Sequence, residues 1–189
     1  MVAKSGKGWK LAAALDTLYE QVNAKYPGRS QASDGTIGDQ SHANRKSDHN
    51  VRDGFCHALD LTHDPRNGFD SEKFANQILA EQDPRLSYVI SNKKIGSGPA
   101  GVSPGKWRPY SGANPHDHHC HISTNAFGER NGRSWNIGDA PVIIKSTAPL
   151  PAHEVFVSEV KAFQAAAGLH PDGEIGPQTW AKIKEKMNA

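Results

Sequence analysis

The segment Pro115-His116-Asp117-His118-His119-Cys120-His121-Ile122-Ser123 holds four of the chain's ten histidines and one aspartate in six consecutive positions. A neutral imidazole nitrogen ligates transition metals, and the same ring exchanges protons near pH 7. Successive side chains of a β-strand point to opposite faces. A strand here therefore sets His119 and His121 on one face and Cys120 and Ile122 on the other. That is the pattern of a half-buried strand, apolar toward a core and imidazole-bearing on its other side. By the same parity Asp117 joins His119 and His121. A second cluster comprises Ser47-Asp48-His49 and His57-Ala58-Leu59-Asp60-Leu61-Thr62-His63-Asp64. Leu59 and Leu61 alternate with Ala58, Asp60 and Thr62, so a strand presents Asp60 from its polar face. Two imidazoles and one carboxylate leave the fourth position of a tetrahedral zinc ion for water, which is the catalytic arrangement. The expected ligands are His49, Asp60 and His121.

These residues need a scaffold, and the hydrophobic pattern outlines one. Leu11, Leu15, Leu18 and Val22 recur at helical spacing, which predicts a helix over 9–26, stopped by Pro27-Gly28. Residues 28–50 are polar and read as a long loop leading into the first cluster. After a strand at 57–62, His63 to Gly68 is turn chemistry. Asp70 or Ser71 caps a helix carrying Phe74, Ile78 and Leu79, which ends before Pro84. Leu86 to Ile90 reads as a strand, turning at Ser91 to Lys94. Residues 96–105 read as an exposed glycine-rich loop. Trp107 and Tyr110 return aromatics just before the histidine-rich strand, as a wall of a substrate groove. The proline-bearing stretch 139–152 reads as a linker. Beyond it Phe156, Val160, Phe163 and Ala167 form one helical stripe. Gly168 and Pro171-Asp172-Gly173 end that helix, Gly176 caps another, and Pro177 starts it with Trp180, Ile183 and Met187 on one face.

The expected fold class is α+β: a small antiparallel sheet with flanking helices and long loops, followed by a small all-α module. Expected boundaries are a catalytic domain over 1–140, a linker over 141–152 and the module over 153–189. For 189 residues, 36% hydrophobic content with 18 glycines and 12 prolines agrees with a modest core and many loops. The net charge of +2 gives no basic stripe, so no nucleic-acid partner is expected. No apolar run nears the ~20 residues of a membrane span, and no apolar segment of a secretory signal follows the N-terminus. A monomer is expected. Cys56 and Cys120 are expected as buried free thiols, with a disulfide between them as the alternative.

The N-terminal region resembles the lysostaphin and D-Ala-D-Ala carboxypeptidase type of zinc peptidases, including phage endolysins with a Ser-Asp-His-Asn motif. Ser47-Asp48-His49-Asn50, Ala58-Leu59-Asp60 and His119-Cys120-His121 carry the likeness, over roughly residues 9–125. His116, His119 and His121 are also spaced similarly to the penicillin-insensitive murein endopeptidases. Asp60 falls eleven positions after His49, a longer interval than the family pattern, and a longer loop at 51–55 accounts for it. His57 is the competing first ligand. The tail resembles three-helix peptidoglycan-binding domains, through Val160-Lys161-Ala162-Phe163-Gln164 and Asp172-Gly173-Glu174-Ile175-Gly176-Pro177-Gln178-Thr179-Trp180.

The resemblance implies a zinc-dependent endopeptidase that hydrolyses an amide in the stems or cross-links of bacterial peptidoglycan. It implies an endolysin held in the host cytoplasm until the membrane is breached. His119 is expected to move protons or hold the oxyanion, with Asp117 as the alternative base. His116, Arg45 and Arg108 are expected around the ligands or on the substrate. Asp172, Gly173, Gly176, Thr179 and Trp180 are expected to serve wall binding, although Trp180 also reads as core. The competing class is a wall-binding protein with an idle structural metal. Asp117-His118-His119-Cys120 also spells the membrane palmitoyltransferase signature, but the membrane spans and cysteine-rich framework that signature needs are missing from the sequence.

Overall fold

The alternating residues at 58–62 and 119–124 form adjacent strands, and most of the chain packs around that pair. The computed structural model describes residues 2–38, 46–139, 152–175 and 177–187. In chain order the elements are β1 (Ser5–Gly6), β2 (Trp9–Leu11), α1 (Ala13–Lys25), β3 (Phe55–Cys56), β4 (Ala58–Thr62), α2 (Ser71–Glu81), β5 (Leu86–Ser91), β6 (Lys94–Ser97), β7 (Trp107–Pro109), β8 (His119–Thr124), α3 (Ala152–Ala166) and α4 (Pro177–Met187). A five-stranded antiparallel sheet has the order β4-β8-β5-β6-β7, and a smaller one the order β1-β2-β3. The class is α+β.

Register decides which side chains share a face. Across β4 and β8, Leu59 stands opposite Ile122 and Leu61 opposite Cys120, while Asp60 stands opposite His121 and Thr62 opposite His119. The apolar set meets Leu15, Leu18 and Val22 of α1 and Phe74, Ile78 and Leu79 of α2 in one buried core. Each such Leu or Ile stabilises the fold by about 1.5–3 kcal/mol when fully buried. The polar set is left on the sheet's other face. Gly96 of β6 lets α2 approach: a Cβ there would lie 2.4 Å from Leu79 Cδ2. The start of α2 is fixed by Asp70, whose carboxylate accepts the backbone N–H groups of Glu72 and Lys73.

Several expectations need correction. Residues 9–11 are a strand and not the first turns of α1, because Lys10 and Leu11 pair with Phe55 and Cys56. Leu11 still reaches the core, which is why it fitted the helical stripe. Residues 94–97 form β6, which takes in the start of the stretch 96–105 read as a glycine-rich loop, and residues 107–109 form β7. Trp107 is no groove wall: it sits opposite Gly96, and its indole N–H donates to Asn76 of α2 at 2.7 Å, on the helix-covered face. The segment after β8 supplies Trp135 and Ile137 to the core, held by Arg85, whose guanidinium lies 4.4 Å from the Trp135 ring centroid. Both cysteines are free and buried, and burial pushes the Cys56 thiol up to about 11 and that of Cys120 well above its usual value.

Candidate metal centre

Three elements bring the chemistry together. β4 supplies Asp60, β8 supplies His119 and His121, and the turn before β3 supplies His49. The extra residues between His49 and Asp60 form a tight turn, with Asp53 and Gly54 at positive φ and Arg52 and Phe55 exchanging two backbone hydrogen bonds, followed by β3. That turn absorbs the long interval and returns the chain to the sheet. The loop 28–38 closes the other side. Gly35 exchanges backbone hydrogen bonds with Asp60, at 2.7 and 3.2 Å, and a Cβ on it would lie 3.2 Å from Asp60 Oδ2. The loop is anchored by a buried ion pair, Arg29 with Asp34, at 2.6 Å. Asp34 also accepts the N–H and hydroxyl of Thr62.

His121 Nδ1 lies 2.9 Å from Asp60 Oδ1 and 3.2 Å from His49 Nε2, and His49 Nε2 lies 3.2 Å from Asp60 Oδ2. Donor atoms bonded tetrahedrally at about 2.0–2.2 Å stand about 3.3–3.6 Å apart. Opening the trio by a few tenths of an ångström therefore fits it to zinc. The tautomers fit as well. His49 Nδ1 faces the Thr36 carbonyl, which only accepts, so Nδ1 carries the proton and Nε2 offers its lone pair. His121 Nε2 lies 2.9 Å from Ser123 Oγ, so an N–H there donates to the hydroxyl and leaves Nδ1 as the ligand atom. Tyr88 stacks on the His121 ring, with centroids 5.6 Å apart.

The electrostatics match. Burial alone would raise the Asp60 pKa, but hydrogen bonds and charge from His121 and His49 outweigh it and hold the carboxyl far below its usual range. Burial works against a charged His49, yet Asp60 and the Thr36 carbonyl leave its pKa above the ordinary value. His119 is mostly buried, and its Nε2 makes no hydrogen bond among the described residues although Asp60 Oδ2 is 3.8 Å away. Burial lowers its pKa, against the opposing pull of Asp60. His116 is buried and packs edge-on against His119 and His121, with centroids 5.0 and 5.5 Å away. Burial and those two rings bring its pKa down to about 4.

Other expected residues lie elsewhere. Asp117 is half-exposed and pairs with His118 at 3.5 Å, and neither group of ligand atoms around Asp60 includes it. Strand parity does not reach it, because β8 begins at His119 and His116 has φ +54°. His57, the competing first ligand, is fully buried and bonded through Nε2 to Glu129 at 2.8 Å. Arg45 lies outside the described residues. Arg108 follows His121, Ile90 and Ile95 in one cross-strand row, so it shares the site's face about 14 Å away across three strand spacings. It donates to Ser97 Oγ at 2.9 Å. Gly35, Thr36, Ser123, Tyr88 and Asn114 went unnoticed in the sequence, since each acts through tertiary neighbours and carries no local motif.

In the tail, Gln164 organises the turn between α3 and α4. Its amide N–H groups reach Asp172 Oδ1 at 2.6 Å, the Glu174 carbonyl at 2.9 Å and Thr179 Oγ1 at 3.0 Å, and its Oε1 accepts the Gly173 N–H at 2.8 Å. Gly173 has φ +85°, and a Cβ there would meet Val157 at 2.7 Å. Asp172 Oδ1 and the Thr179 hydroxyl, two of the groups expected to serve wall binding, take part in building the turn. Gly176 and the Trp180 side chain lie outside the described residues.

Residues 153–183 match the family model of a peptidoglycan binding domain. Neither the curated proteins nor the solved structures compared with the chain give a match. A cell-wall association follows from the matched region.

Proposed function

We propose that the chain is a zinc-dependent peptidase acting on an amide bond in the peptide stems or cross-links of bacterial peptidoglycan, with 153–189 as its wall-binding module. The observation that carries this reading is the convergence of His49 Nε2, His121 Nδ1 and both Asp60 oxygens, at 2.9–3.2 Å, on one face of the five-stranded sheet. These three residues would hold the ion. Zinc supplies Lewis acidity, which polarises an amide carbonyl and makes water acidic near neutral pH. The remaining work falls to the chain. His119, kept neutral by burial, accepts a proton at Nε2 as water adds to the carbonyl. The imidazolium so formed faces the Asp60 carboxylate 3.8 Å away and then gives its proton to the departing amine. Asp117 is not used in this reading, because it is half-exposed and pairs with His118. The tether concentrates the enzyme on an insoluble polymer. The peptidase reading carries with it the N-terminal fold of the resembled zinc peptidases and the endolysin role, lysis of a bacterium from within.

Incubation of zinc-loaded protein with purified peptidoglycan is expected to release free amino groups. His121→Ala or a chelator is expected to abolish the release while wall binding persists. Wall binding with no amine released by the wild type would instead make the chain a binding protein.

A further inference from the structure

Asp60 belongs to two ligand sets. Besides His49 and His121, it forms a group with His116 and His119, each residue offering one donor atom and all of them within 4.8 Å of one another. Two independent features of that second group point to a ligand. His119 Nε2 is buried and unbonded among the described residues, with Asp60 Oδ2 3.8 Å away. A buried nitrogen without a partner is uncommon and calls for one. His116 is held in a conformation few non-glycine residues adopt, with φ +54°. Its N–H donates to Asn114 Oδ1 at 3.1 Å, and its Nδ1 donates to the Asn114 carbonyl at 2.8 Å. The Nδ1 proton is therefore fixed and Nε2 keeps its lone pair, as metal-ligating histidines are usually prepared. Tyr110 packs edge-on against the ring at 5.4 Å, and the His116 carbonyl is tied to the N–H of Asn92 in the β5–β6 turn. This is a large structural outlay for a histidine that the first ligand set does not use.

Resting on the reading of His49, Asp60 and His121 as the first site, we propose that Asp60, His116 and His119 form a second and weaker site for a divalent transition metal. Two imidazoles and one carboxylate suit zinc or cobalt and not the all-oxygen cages of calcium or magnesium. The second site is weaker because it shares the single carboxylate with the first. Its occupation takes the lone pair of His119, so the metal that enables the chemistry at one equivalent suppresses it in excess.

The test is equilibrium dialysis of the full, metal-stripped chain against zinc at neutral pH, with elemental analysis and amine release measured on the same samples. Wild type is expected to bind a tight and then a weaker equivalent, and amine release is expected to rise with the first and fall with the second. His116→Ala is expected to keep the tight equivalent, which also reports that it is folded, and to lose the weaker one. Saturation of the wild type at one equivalent, or an unchanged second equivalent in His116→Ala, would overturn the second site and leave the proposed function standing. Failure of the wild type to bind zinc at all would sink both.

Discussion

At the scale of single residues, the centre depends on protons being absent from two nitrogens. Zinc and a proton compete for His49 Nε2, and the neighbouring Asp60 carboxylate favours the proton by raising the His49 pKa above 6.5. The sign follows: as pH falls through that raised value, His49 becomes charged and zinc affinity drops, whereas Asp60 stays ionised throughout because its own pKa is depressed. Zinc binding near neutral pH is therefore expected to release protons, and affinity is expected to decline steadily from above pH 6.5 downward. Calorimetry in buffers of different ionisation enthalpy measures this directly. A binding enthalpy independent of buffer would mean that no histidine proton is displaced. Ser123 and Thr36 matter at the same scale. Each fixes the ring nitrogen that does not face the ion, Ser123 for His121 and Thr36 for His49.

Elements determine whether those residues meet. The loop 28–38 has little regular structure, yet it borders Asp60 through Gly35 and orients His49 through Thr36. Its hold on the sheet is the buried Arg29–Asp34 pair. Asp34→Ala would leave a buried guanidinium unpaired and strip Thr62 of its acceptor, so it is expected to destabilise the fold by about 3–5 kcal/mol. Urea denaturation checks the value, and a change under about 1 kcal/mol would place the anchor elsewhere. Much of the sheet was legible in the sequence. Alternation gave Asp60 and His121 their faces, because a half-buried strand requires it. The direct opposition of Asp60 and His121 across β4 and β8 was not legible, since no local rule pairs strands so far apart in the chain. β6 was missed for a related reason: Gly96 reads as a loop residue until Leu79 of α2 is seen to occupy the space its side chain would need. The resemblance selected His49 over His57, and periodicity had no means to do so, because both are histidines flanking one turn. The Glu129 carboxylate that claims His57 arrives from the far side of β8.

At the scale of the molecule, two activities are proposed to sit in separate parts of the chain. The tail has its own organising residue in Gln164, and its helices, Ala152–Ala166 and Pro177–Met187, lie where the sequence was read as helical, the second starting at Pro177. Residues 153–183 match a peptidoglycan binding domain, and the proposed zinc centre draws nothing from them. Deleting 153–189 is therefore expected to weaken sedimentation with purified walls while sparing cleavage of a soluble peptidoglycan fragment. Equal losses in both assays would make the tail part of the cleaving unit.

The convergence of His49, Asp60 and His121 on one cation is tested most directly by anomalous X-ray scattering at the zinc edge, on crystals of the full chain grown with zinc. The expected result is a peak at bonding distance from His49 Nε2, His121 Nδ1 and an Asp60 oxygen. Zinc found only on exposed groups such as His118, with the trio empty, would contradict it.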